Sequence, residues 1–280
     1  MKKFFLLVGL FFYVAVVVYA QNFVKPIKIV VVVPSYNNGS SNRNICLSNL
    51  RSLAEQTYPY FVVCYTDDCS TDDTGKLVDE FVRQNHLENK FFVTHNTTRK
   101  GALENTYDMV RKIEGHKVVV VVDGDDSLAH PGVLQRIADV YKNPAVWLTF
   151  GNYKTYPNSL PSVCAPFPPW VMAKGAFRSY RWTASAPRTF YAKLFHYIQQ
   201  KDLVWQDKFF SMAADLAYMF PMLEMASKGH IRFIPDILYL YYVANPINDF
   251  RVSLSLQLEL DKIIRSYPPY QPLQSLFYRT

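Results

Sequence analysis

The apolar residues of this chain fall into short β-branched runs separated by longer stretches of helical spacing. Ile27–Val33 (IKIVVVV), Phe61–Thr66 (FVVCYT), Phe91–Thr94 and the valine run after Lys117 are the short ones. Runs of this length, rich in valine and bounded by Gly, Pro or charge, predict strands buried on both faces. Between them, Asn44 is placed to cap a helix reaching about Gln56, with Ile45, Leu50, Leu53 and Ala54 as its stripe. Leu77, Val78, Phe81 and Val82 mark a second helix, and Leu103, Val110 and Ile113 a third. Strands that alternate with helices predict right-handed βαβ units and a mostly parallel sheet.

After Asp126 the pattern loosens. Pro131–Tyr141 reads as a helix, Ala145–Tyr153 as an aromatic strand, and Tyr156–Trp170 as an irregular, proline-rich stretch. Arg188–Gln200 and Asp215–Ser227 read as helices, the second either kinked or begun by Pro221. Ile231–Ile234 and Ile237–Tyr242 read as two short strands, Asn245-Pro246 as a break, and Ser253–Arg265 as a final amphipathic helix. Neither a polar linker nor an internal repeat divides the chain. The expected fold class is therefore α/β.

The strand ends carry the chemistry. Lys117–Asp126, KVVVVVDGDD, ends on Asp123, Asp125 and Asp126. In an open α/β sheet ligands bind beyond the C-terminal strand ends. Carboxylates this close repel one another unless a cation sits between them, and hard oxygen ligands suit Mg²⁺ or Mn²⁺. Gly124 is expected to permit a tight bend. Two further polar loops follow strands, Pro34–Ser40 and Asp67–Thr71, so all three are expected to face one crevice. Asp67 or Asp68 is placed to accept from an imide N–H such as that of uracil, or Asp68 caps the next helix. Arg99, Lys100 and Gly101 suit a phosphate at a helix N-terminus, or form a solvated basic loop. No P-loop or G-x-G-x-x-G pattern occurs.

Composition narrows the field. Half of the 280 residues are apolar, which supports a sizeable core and argues against disorder. The net charge of +7 favours anionic ligands, but without a Lys/Arg-rich run it does not point to nucleic acid. Cys46, Cys64, Cys69 and Cys164 lack metal-ligand spacing; Cys64 and Cys69 either pair or stay as buried thiols. The six histidines lack ligand spacing and read as surface or satisfied groups. Residues 1–20 have Lys2 and Lys3, an apolar run and Val18-Tyr19-Ala20, the layout of a signal peptide or a membrane anchor. Asn38-Gly39-Ser40 and Asn96-Thr97-Thr98 match the N-glycosylation pattern within the crevice loops. A bacterial envelope location, or an anchored domain facing the cytosol, therefore fits better than an ER lumen.

PSYNN after the first strand, DDCSTDDT after the second, NTTRKGALEN and VVVDGDD resemble, in order and spacing, the family-2 glycosyltransferases of the GT-A fold. The resemblance covers about Lys28 to Ser127. It implies a Rossmann-type, mostly parallel sheet flanked by helices with a C-terminal acceptor-side extension. Residues 27–127 would form a nucleotide-sugar half, 128–245 an acceptor half and 246–280 a helical extension. It also implies an inverting transferase that uses a nucleotide sugar, uridine-linked, with Mn²⁺ or Mg²⁺ at Asp123 and Asp125. The nucleotide pocket would comprise Pro34, Tyr36, Asn37, Asp67, Asp68, Arg99, Gly101 and Asp123.

ADLAYMFPMLEMA (214–226) and FIPDILYLYYVANPINDFRV resemble the acceptor-side part of bacterial members, which often carry Glu-Asp where this chain has Ala214-Asp215. That leaves Asp215 as the candidate base for a carbohydrate or lipid-linked acceptor, or as a helix N-cap. Trp170, Trp182 and Trp205 are expected either to stack on sugars or to pack in the core. The competing reading is a non-catalytic nucleotide- or carbohydrate-binding module on the same fold. A nucleotidyltransferase would carry a Gly-rich, Arg-containing loop after the first strand, which PSYNNGSSNR does not match.

Overall fold

The computed structural model describes residues 26–39 and 43–277. The expected leader at residues 1–20 lies outside the described residues. In chain order the elements are β1 (Ile29–Ser35), α1 (Arg43–Ala54), β2 (Phe61–Asp67), α2 (Thr74–Gln84), β3 (Phe91–His95), α3 (Ala102–Lys112), β4 (Val118–Val121) and β5 (Ser127–Leu128). There follow α4 (Val133–Tyr141), β6 (Leu148–Tyr156), α5 (Pro169–Lys174), β7 (Arg188–Tyr191), α6 (Ala192–His196), β8 (Val204–Trp205) and β9 (Lys208–Phe209). The last three are α7 (Ala214–Met225), β10 (Ile231–Tyr242) and α8 (Asp249–Ser266).

The main sheet runs β3-β2-β1-β4-β7-β6-β10-β5. The strands β3, β2, β1 and β4 are mutually parallel. β7 lies antiparallel between β4 and β6, and β10 is parallel to β6. The C-terminal ends of β1, β2, β4, β6 and β10 therefore share one edge. The valine runs are explained by two-sided burial. Val30, Val32, Val119 and Val121 join one apolar cluster, covered by α3, α6 and α7. Ile29, Val31, Val33, Val118, Val120 and Val122 join the other, covered by α1, α2 and α4. Each such side chain contributes about 1.5–3 kcal/mol by leaving water, which fixes the register of the strands that carry the site.

Two local expectations need correction. Arg188–Gln200 is not one helix: Arg188–Tyr191 is a strand, and the helix is confined to Ala192–His196. Pro187 precedes a β-branched and aromatic stretch, and pairing on both edges outweighs the helix propensity that follows. Ile231–Tyr242 is one strand whose register slips between Phe233 and Ile237, where Pro235 cannot donate to a ladder. The expected final helix from Ser253 is present and is preceded by a short helical turn from Asp249, the two meeting at the extended Ser253. Of the two alternatives for Cys64 and Cys69, the structure has the unpaired thiols, each half-buried. Pro221 lies inside α7, a helix buried from Leu216 to Met225, where packing compensates for its missing N–H.

The C-terminal segment is fastened to α7. Leu260 and Ile264 of α8 join the same cluster as α7. Buried Glu224 accepts from Arg178 Nε at 2.6 Å and Nη2 at 3.1 Å, and from the Tyr270 N–H at 2.9 Å. Among the described residues no helix is long and apolar enough to cross a membrane.

Candidate active site

The site is built on the end of β4. The Val122 N–H donates to Val32 O at 3.0 Å, and the Gly124 N–H to Pro34 O at 3.0 Å, so the acidic turn continues the ladder with β1. Gly124 is not in the left-handed region expected of a tight bend. Glycine is required because a Cβ there would lie 2.5 Å from Ser35 Cβ. The turn thus lies directly against the loop after β1.

Three groups at the end of β10 and just beyond it hold the acidic turn from the other side. The Tyr239 hydroxyl accepts from the Asp123 N–H at 3.1 Å and lies 3.4 Å from Asp123 Oδ2. The Tyr242 N–H donates to Asp126 Oδ1 at 2.7 Å, and Asn245 Nδ2 donates to Asp125 Oδ2 at 2.7 Å. Asn49 Nδ2 reaches the carbonyls of Asp123 and Asp126 at 3.1 and 2.7 Å. Even so, the carboxylates crowd one another. Burial, then the charge of Asp123, pushes Asp125 up to about 6. Asp126, buried and bonded to backbone, is raised well above its ordinary value by burial and then by the charges of Asp125 and Asp123, and plays a structural part.

Arg188 of β7 lies between the halves. Its Nη2 donates to Asp123 Oδ2 at 2.7 Å, and its Nη1 lies 3.5 Å from Asp215 Oδ2. The Arg188 side chain is only 7 % exposed while that of Asp123 is 38 % exposed, so a buried cation meets a carboxylate that opens to solvent. Asp215 lies in the first turn of α7 and accepts from its own neighbour, the Leu216 N–H, at 3.0 Å. It is not the N-cap, which is the left-handed Ala213 (φ 55°). Burial raises the Asp215 carboxyl above its ordinary value, while Arg188 pulls it down and Asp123 pushes it up. Asp249 Oδ2 accepts the Ala213 N–H at 3.2 Å; burial pushes Asp249 up to about 6. It thereby supplies a carboxylate at the start of α7, where Ala214 brings none.

The loops after β1 and β2 divide into structural and available groups. Asn37 is spent on the loop opposite: its Oδ1 accepts the Thr71 N–H at 2.8 Å, and its own N–H donates to Ser70 Oγ at 2.9 Å. Asp68 does not cap the next helix. It fastens the loop before α3, accepting from Asn96 Nδ2 at 2.8 Å, the Lys100 N–H at 2.9 Å and the Gly101 N–H at 2.7 Å. Burial would raise its pKa, but these donors hold it below the usual carboxylate value. Gly101, at φ 94°, supplies the conformation this requires. Asp67 is buried, with one oxygen toward His95 and Oδ1 without a protein partner. The Arg99 guanidinium stacks on the Tyr36 ring, 3.8 Å from its centre. Trp182 packs edge-on to buried Phe220, a core-like use of its indole, whereas Trp170 lies edge-on to Tyr180 and is half exposed.

His95, a surface group as expected, lies between Asp67 Oδ2 at 3.3 Å and Asp79 Oδ1 at 3.1 Å, which satisfies both ring nitrogens. Burial works against its charge, but the two carboxylates outweigh burial and raise its pKa. The folded state therefore favours the imidazolium. This stabilisation is complete below the ordinary imidazole value of about 6.5 and is lost as pH rises through the higher folded value. His95→Gln is expected to lower the melting temperature more at about pH 6 than at about pH 8.5. An equal loss at both would exclude the ion pairs.

Residues 30–206 match the family described as glycosyl transferase family 2. The chain belongs to glycosyl transferase family 2. Glycosyltransferase GlyG of Streptococcus pneumoniae serotype 4 is 27% identical over 129 residues, 46% of this chain and 40% of that protein. The chain thus spans well under half the length of this curated family relative. S. aureus TarS 1-349, solved with UDP-GlcNAc, superimposes with a TM-score of 0.62 at 21% identity, over 85% of this chain and 65% of that one. The mannosyltransferase PcManGT of Pyrobaculum calidifontis, solved with GDP-Man and Mn2+, gives 0.56 at 18% identity, over 93% of this chain and 72% of that one. These likenesses establish the GT-A type of fold expected from the sequence.

Within that family frame, the structure brings together Pro34, Asp123, Asp125 and Asp215, pairs Tyr36 with Arg99, and pairs Asp68 with Gly101. Sequence reasoning missed Arg188, Tyr239, Asn245 and Asp249. The signal for Arg188 was a lone charge in the stretch TASAPRTFY; the other three carried none beyond their polarity.

Proposed function

We propose that the chain is an inverting glycosyltransferase that moves a sugar from a uridine-linked nucleotide donor to an acceptor hydroxyl with the help of a divalent cation. One observation carries this: a half-buried carboxylate on α7 and the acidic turn after β4 meet across a single guanidinium. A module that only bound sugar or nucleotide would have no use for a half-buried carboxylate of raised pKa there.

On this reading Asp67 Oδ1, buried and without a protein partner, accepts the imide N–H of the base, a role the sequence left open between Asp67 and Asp68. Tyr36 and Arg99 offer a flat cationic surface to the nucleotide. The donor set fits a divalent cation, because Asp123 and Asp125 are hard oxygen ligands held in mutual repulsion. Such a cation would neutralise the leaving diphosphate. Asp215 takes the acceptor proton on its carboxylate as the acceptor oxygen attacks the anomeric carbon from the face opposite the leaving group. The raised pKa brings the base nearer to working pH, and the Arg188 guanidinium works against that rise.

The acceptor is read as a carbohydrate or a lipid-linked sugar, and the location as the bacterial envelope, reached or held through residues 1–20. The sequon asparagines support that location. Asn38 Nδ2 donates to Ser35 Oγ, and Asn96 Nδ2 to Asp68 and Asn105, so neither nitrogen is free to carry a glycan.

The test is a thermal-shift panel of UDP- and GDP-sugars with and without Mn²⁺. A UDP-sugar with Mn²⁺ is expected to raise the melting temperature by mass action. No shift with any nucleotide sugar would reject the reading. A shift with neither donor hydrolysis nor transfer would favour the binding module.

A further inference from the structure

Arg188 occupies an unusual electrostatic position. Four carboxylates, Asp123, Asp125, Asp215 and Asp249, lie close enough to influence one another's charge. Arg188 is the cation that contacts both sides, through Nη2 on Asp123 at 2.7 Å and Nη1 toward Asp215 at 3.5 Å. The side chain is buried, and its Nε has no partner, so the two carboxylates are what hold the guanidinium. The oxygen Arg188 takes belongs to one of the two residues read here as ligands of the divalent cation. Two cations on one carboxylate repel each other.

We propose that Arg188 is a positioning residue that competes with the divalent cation for Asp123 and passes that competition to the base. When the cation draws Asp123, the guanidinium is left to Asp215. The acceptor side is then tied to the donor side by one shared charge rather than by a moving lid. This inference rests on the reading of the site as cation-assisted sugar transfer.

The test is calorimetric titration of the full chain with UDP and with GDP, each with and without Mn²⁺, alongside single-turnover transfer. For the wild-type protein, Mn²⁺ should raise affinity for one of the two nucleotides. In Arg188→Met that Mn²⁺-dependent gain should be about tenfold larger or more, because a competing positive charge has been removed. Transfer should nonetheless fall, since Asp215 has lost its partner. Arg188→Lys keeps the charge but cannot span both carboxylates, so its Mn²⁺-dependent gain should stay near that of wild type while transfer falls. If Arg188→Met melts below the assay temperature, Arg188→Gln carries the same expectation, being uncharged but still hydrogen-bonding.

A gain that is unchanged or smaller in the uncharged variant overturns the proposal and leaves Arg188 as a structural ion pair. Nucleotide affinity that drops equally with and without Mn²⁺ also overturns it, by making Arg188 a phosphate ligand. If the wild-type protein binds neither nucleotide with Mn²⁺, it is the transferase reading itself that fails.

Discussion

Asparagine in place of Asp215 is expected to lower sugar transfer by about two to four orders of magnitude, the usual worth of a general base. Nucleotide affinity without Mn²⁺ should change little, because the donor-side groups sit on the loops after β1, β2 and β4, whereas the Mn²⁺-dependent gain should shrink as Arg188 turns wholly to Asp123. Asparagine keeps the shape and can still accept the Leu216 N–H, but it cannot take a proton at neutral pH. A purely helical role predicts a different result: asparagine serves as well as aspartate at a helix start, so transfer would be untouched. Measuring donor affinity and single-turnover rate together separates the two. NMR of the product should show an inverted anomeric centre; retention would remove the reason for giving Asp215 this role.

Alanine in place of Asp125 should abolish Mn²⁺-dependent donor hydrolysis and transfer while the fold persists. The stability effect has a definite sign. Its folded value of about 6 lies above the ordinary carboxylate value, so the ionised group opposes folding at neutral pH. Removing it should leave the melting temperature at pH 7 unchanged or higher. That gain should disappear below about pH 4, where the carboxyl is protonated folded or unfolded. A variant that turns over normally would disprove the cation assignment. A variant markedly less stable at pH 7 would mean that the Asn245 contact outweighs the crowding.

The donor half was legible in the sequence because its signals are local. Two-sided burial forces unbroken valine runs, and the polar residues that end them must lie at one sheet edge. The acceptor half was less legible because its elements depend on partners far along the chain. Arg188–Tyr191 is a strand through pairing with β4 and β6, which periodicity within the segment cannot reveal. Roles within a loop were harder still. Asp67 and Asp68 are adjacent and chemically identical, yet one is consumed by backbone donors more than thirty residues away and the other keeps an oxygen without a protein partner. Asn245 read only as a chain break, although its amide holds Asp125.

The fastening of the acidic turn by Tyr239, Tyr242 and Asn245 has a consequence for biosynthesis. The carboxylates are made early and their clamps late, separated by more than a hundred residues of chain. Synthesis delivers the parallel strands first, and a domain folds as a unit. The backbone of the acidic turn can already pair with β1 and Asn49, but its carboxylates lack these three holds until the chain has been made through Asn245. A chain cut short before that point would carry the acidic turn without the contacts that set its carboxylates.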